Sequence, residues 1–114
     1  MPVDTRVALE FGHAIARCDY AAAHSLLTKD AQAIHSQESL KQSVDEMIAV
    51  GDGPITEVVL VSECILEDWP GKQEGDVGYV YVSLDGDGFC EAVTVTLTNE
   101  AGRIRIRDLE WGRP

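Results

Sequence analysis

The chain has 114 residues, 45% of them hydrophobic and 25% charged, with twenty acidic against nine basic side chains and a net charge of −11. That length fits one domain over residues 1–114 with a single core. The acidity repels phosphate backbones and anionic lipid surfaces, so nucleic acid and membrane are not expected partners, and no apolar run approaches the roughly 18 residues of a membrane helix.

Asp4 or Thr5 is placed to cap a first helix, in which Val7, Phe11, Ala14, Ile15 and Cys18 recur at three- and four-residue spacing. Asp19 is placed to cap a second helix with Tyr20, Ala23, Leu26 and Leu27 inward. Residues 31–35 (AQAIH) alternate and predict a short strand. Ser36 then caps a third helix, with Glu38 in the first turn, where the helix dipole favours an acid. Leu40, Val44, Met47 and Ile48 form its apolar stripe, and Gly51-Asp52-Gly53-Pro54 ends it.

From there the period changes to two. Residues 55–67 are aliphatic and β-branched and predict a long strand. Residues 68–76 (DWPGKQEGD) form a loop whose Trp69-Pro70-Gly71 is a possible contact site or a cover for one end of the fold. Strands follow at 77–84, 89–98 and 103–111, separated by the turn signals Asp85-Gly86-Asp87-Gly88 and Asn99 to Gly102. The expected fold class is α+β: three N-terminal helices packed on a curved antiparallel sheet of about four long strands.

Four-residue turns would set Leu84 against Phe89 and Thr98 against Arg103. Val80 then opposes Val93, Val95 opposes Ile106 and Leu97 opposes Ile104, apolar on apolar. This face, with Val82 and Leu84, packs on the helices. The other face carries Tyr79, Tyr81, Cys90, Ala92, Thr94, Thr96, Arg105, Arg107, Leu109 and Trp111. Arg and aromatic side chains together are typical of an interface core. Tyr79, Tyr81, Thr94, Arg105, Arg107 and Trp111 are therefore candidates for a homodimer surface. The alternative is cross-strand packing, with Arg stems covering the rings.

The same register sets Glu91 against Glu110, with Asp108 nearby, on the core face. Unanswered acids there would cost several kcal/mol or titrate upward. They either line a pocket mouth, where one could act as a general acid or base, or overhang the helices and meet water, Arg6 or Arg17. Of the histidines, His13 falls on the polar side of its helix and His24 at a packing edge. His35, between the helical layer and the sheet, is the candidate base. No metal site is expected from the three, and no cofactor: Gly-rich segments here are turns, not phosphate loops. Cys18, Cys64 and Cys90 are odd in number, lack ligand spacing and sit among apolar residues. They are expected to be reduced in a cytoplasm, and the N-terminus MPVDTRVALEF shows no secretory pattern.

The run from Asp19 to Ala31 (DYAAAHSLLTKDA) resembles the D-Y-x-x-A-x-x-L-L-x-x-D-A signature of the nuclear transport factor 2-like superfamily, which includes ketosteroid isomerase-like and SnoaL-like proteins. The order of helices, short strand and long sheet is similar over nearly the whole chain. The resemblance implies a cone with an apolar pocket, commonly dimerising through its outer sheet face. Pocket-lining candidates are Phe11, Ile15, Tyr20, Leu27, Met47, Val93, Val95 and Glu110. His35 matches the position of the family's catalytic Asp, but Phe11 stands where an oxyanion-binding Tyr belongs. The late-strand acid falls in Val93 to Thr96, with Glu91 the nearest carboxylate, so an enolate would lack its main stabilisation. The leading expectation is a module that binds a small apolar molecule. One alternative is a SnoaL-like or isomerase-type enzyme with His35 as base and Glu91 or Asp108 as acid. The other is an acidic protein-binding domain, of inhibitor or immunity type, for a basic partner.

Overall fold

Helix α1 (Arg6–Ala16) forms where the stripe predicts it and buries Ala8, Phe11, Gly12, Ala14 and Ile15. These positions and all others below come from a computed structural model that describes residues 4–48, 55–86 and 89–112. The Gly51–Pro54 stop and the Asp87-Gly88 pair lie outside the described residues. Asp4, rather than Thr5, supplies the side-chain oxygen at the start of α1, accepting from the Arg6 N–H at 3.1 Å. The helix ends by folding back on itself: Asp19 N–H donates to Ala14 O at 2.8 Å and Cys18 N–H to Ile15 O at 3.1 Å. That closure sets Cys18 at φ +61, a left-handed position usually given to Gly. Cys18 therefore leaves the apolar stripe and is exposed, as is Cys90.

Asp19 caps α2 (Tyr20–Ser25) by accepting from Ala22 N–H at 3.1 Å. The predicted strand at 31–35 is instead part of a helix, α3 (Lys29–Ile34). Its cause is Thr28, whose hydroxyl oxygen accepts from Ala31 N–H at 3.1 Å. The helical layer thus has four helices among the described residues, not three. The last, α4 (Gln37–Ile48), starts with the Ser36 hydroxyl accepting from Ser39 N–H at 3.0 Å.

The sheet runs β1 (Ile55–Leu66), β2 (Asp76–Gly86), β3 (Phe89–Glu100) and β4 (Arg103–Trp111), antiparallel and in chain order. At both hairpins the pairing runs closer to the turn than a four-residue turn would allow. Gly86 pairs with Phe89 and Glu100 with Arg103, so Val80 meets Val95, Val82 meets Val93 and Leu97 meets Ile106. A shift of two keeps every side chain on its expected face, which is why the apolar matching survives it.

A bulge in β4 does not keep them. Between the Leu97–Ile106 and Thr96–Asp108 pairs, β4 contains one extra residue, Arg107. Beyond it the alternation inverts. Leu109 and Trp111 turn to the helical side, where Leu109 is 7% exposed and Trp111 packs 6.2 Å from Phe11 between ring centroids. Asp108 and Glu110 turn to the outer face, opposite Thr96 and Thr94. Trp111 therefore leaves the set expected on the outer face, and Glu110 the set expected around the core. Glu91 pairs with Leu84, not with Glu110.

The core joins Phe11, Ile15, Leu27, Leu40 and Val44 from the helical layer to Val80, Val82, Leu84, Val93, Val95, Leu97 and Ile106 from the sheet, each at most 1% exposed. Each such side chain contributes about 1.5–3 kcal/mol on burial. Helix α1 touches all four strands. It approaches so closely at Gly12 that an added Cβ would lie 2.6 Å from a Val58 methyl and 3.0 Å from one of Val82. One strand edge is covered by the chain itself: Thr28 N–H donates to Ile106 O and Ile106 N–H to Leu26 O, both at 2.9 Å. Leu27 thereby forms a parallel bridge to Ile106 on β4.

Candidate functional site

The side chains expected to line an apolar pocket are mostly spent on packing. Phe11, Ile15, Leu27, Val93 and Val95 are closed in the core, while Tyr20 and Met47 are half-buried against it. Burial and the nearby Cys18 thiol push the Tyr20 hydroxyl up to about 12, so it stays protonated.

The three catalytic candidates are not brought together. His35 sits at the C-terminal cap of α3, half-buried, with its N–H donating to Ala31 O at 2.8 Å. Glu91 lines a cleft on the helical side with Ser43, Glu46, Met47 and Trp111. Asp108 lies on the outer face. Of the other histidines, His24 engages Gln32 O through Nε2 at 3.3 Å. His13 shares a shallow cleft with Glu10, Arg17 and Ser25. Among the described residues no group of three or more His, Cys, Asp or Glu side chains could hold a metal ion.

The outer face carries the groove with the most varied chemistry. It is about 400 Å³ and is lined by Leu66, Trp69, Pro70, Gly71, Tyr79, Thr96, Arg107, Asp108 and Glu110. Its floor is Thr96 of β3, 4% exposed, in a row whose neighbours Thr94 and Thr98 are buried as well. The Thr98 hydroxyl engages Asp76, and the Tyr79 hydroxyl reaches across the row and donates to Glu110 at 3.0 Å. Burial and the charges of Glu110 and Asp108 push that hydroxyl above its ordinary range.

One wall is aromatic and apolar. The loop after β1 folds back so that Trp69 stacks on Tyr79 at 5.2 Å and 23°. The Lys72 ammonium sits 5.6 Å from the indole centroid and donates to Glu67 O at 2.7 Å. Pro70 and Gly71 lie in the turn that follows Trp69 and line the groove.

The loop is anchored by Asp76 at the start of β2. Its carboxylate, with no exposed side-chain surface, accepts from the Arg107 guanidinium at 2.9 and 2.7 Å and from Gln73 N–H at 2.8 Å. Burial alone would raise the Asp76 pKa. The Arg107 fork, the Gln73 N–H and the Thr98 hydroxyl outweigh it and hold the carboxyl below its ordinary range, while Arg107 is raised in turn. Arg107, the bulge residue, is thus neutralised; the other charged side chains lining the groove are Asp108 and Glu110, and the Lys72 ammonium stands over the indole at its edge. Of the expected outer-face residues, Tyr79, Thr96 and Arg107 line the groove, and Thr94 lies next along the row, paired with Glu110. Tyr81 flanks the same row opposite Thr94. Arg105 instead reaches around β4 to donate to Ser25 O.

Comparison with known proteins found no matching family model, no matching curated protein and no matching solved structure. The groove must therefore be read from its own chemistry. Trp69 was visible beforehand as an aromatic in a Pro-Gly loop. Asp76 was not, although an acid just after Gly75 (φ +92) at a strand start is a turn signal.

Proposed function

We propose that the protein is a small-molecule-binding module, and that its ligand is received in the outer groove beside Trp69. The observation that carries this reading is the pairing of a stacked indole–phenol wall with two carboxylates, in a cleft of the usual ligand size, braced by the Asp76–Arg107 pair. Groups held in place before binding cost little to order on binding. The nuclear transport factor 2-like cone is the architecture proposed to carry it. The run from Asp19 to Ala31 supports that, with Asp19 and Thr28 acting as helix caps within it.

Self-association through the outer face would compete for the same surface. The β3 row is already covered within one chain, so a second copy is not needed to bury it.

The two tryptophans make the test direct. Trp69 faces the groove and Trp111 packs on Phe11. In a fragment screen followed by NMR, the Trp69 indole N–H is expected to move saturably while that of Trp111 stays. Trp69→Ala is expected to weaken the bound fragments at least about tenfold, the worth of a well-packed aromatic contact. Fragments that shift only Trp111, or bind Trp69→Ala equally well, would overturn the reading.

A further inference from the structure

We infer that the groove selects an amphipathic organic cation, an apolar or aromatic body carrying a protonated amine. This rests on the groove being the ligand site. The two walls differ in kind and face each other across Thr96. Leu66, Trp69 and Pro70 offer carbon surface on one side, and Asp108 and Glu110 offer carboxylates on the other.

Charge decides the class. The cation lining the groove, Arg107, gives its Nε and one Nη to Asp76, so its charge is already answered by a carboxylate that has no exposed side-chain surface. Asp108 and Glu110 are both exposed, and β4 places them two residues apart on one face, opposite Thr96 and Thr94. A protonated amine has three donors and can engage both carboxylates.

Size argues in the same direction. A cleft of about 400 Å³ holds a ring and a short chain rather than a folded partner's surface. The net charge of −11 steers cations toward the molecule as a whole, and this groove sets an aromatic wall beside its two acids.

Three matched probes test the inference: 2-phenylethylamine as the cation, 2-phenylethanol as the neutral form and 3-phenylpropanoate as the anion. Each is titrated against the intact chain and followed at the Trp69 indole N–H, with Trp111 as internal reference. The amine is expected to bind at least about tenfold tighter than either other probe, because a charge-assisted contact is worth more than a neutral one. The double variant Asp108→Asn, Glu110→Gln is expected to erase that preference. The exposed single change Asp108→Asn is expected to reduce it without disturbing the Tyr79–Glu110 bond. An alcohol or acid that moves Trp69 as tightly as the amine would remove the cation inference and leave the groove reading standing. A full amine preference in the double variant would do the same. No movement of Trp69 with any probe would remove both.

Discussion

Asp76 begins β2 with its carboxylate shut off from water, and it accepts from the guanidinium of Arg107 and the backbone of Gln73. Its folded pKa is lowered, so the unfolded chain binds the proton more tightly. The stability this group contributes is therefore fully present above the ordinary Asp value of about 3.9 and is lost as pH falls through the lower folded value. Asp76→Asn is expected to lose roughly 1–3 kcal/mol at pH 7, the cost of leaving a partly buried donor short of its partner. In urea melts, the variant's stability is also expected to fall less than the parent's between pH 5 and the acid limit. Parallel pH curves for the two proteins would show that this carboxylate does not contribute. The residue escaped sequence reading because its neighbours make it look like loop. Nothing local announces that Arg107, 31 positions on, will meet it. Trp69 was easier, since an indole among Pro and Gly has no helical or strand stripe to join.

At the level of elements, alternation carried most of the sheet. Val80, Val82, Val93, Val95 and Leu97 lie on the helical side as expected, because a two-residue error in turn length leaves parity intact. Arg107 broke the inference. A single extra residue is invisible in a pattern of alternating types, yet it exchanged Leu109 and Trp111 for Asp108 and Glu110 across the sheet. The acids that looked misplaced in the core were thus a sign of the bulge. Helix α3 was missed for a different reason: six residues are too few for a period to show, and only the Thr28 cap marks it. The β3–β4 turn offers a direct test. Ala101 at φ +54 and Gly102 at φ +85 occupy a two-residue loop of the primed type, where Asn-Gly is favoured. Ala101→Asn is expected to raise stability by about 0.5–1 kcal/mol, by relieving a left-handed Ala. A thermal midpoint that stays or falls would contradict this account of the turn.

Taken as a whole, the molecule holds a net charge of −11 within a radius of gyration of 13.3 Å. Few basic side chains offset it, and some of those, such as Arg6 and Lys41, are already paired with close neighbours. Self-repulsion of this kind opposes compactness and is screened by salt. Raising sodium chloride from about 20 to about 200 mM is expected to lift the thermal midpoint by roughly 2–5 °C, the equivalent of under about 1 kcal/mol for a domain of this size. A midpoint that drops would mean that ion pairs, not repulsion, dominate the surface.

The bridge between Leu27 and Ile106 has a consequence for how such a chain behaves when crowded with copies of itself. A sheet grows into fibres by adding strands at its open margins. On β4 that margin is occupied at Ile106 by the chain's own Leu26–Thr28 backbone. On β1 the ladder breaks register twice, between Ile55 and Glu57 and between Leu60 and Ile65, so the margin there is uneven. One side is blocked at its middle and the other is a poor template, a guard against fibril growth built from backbone alone.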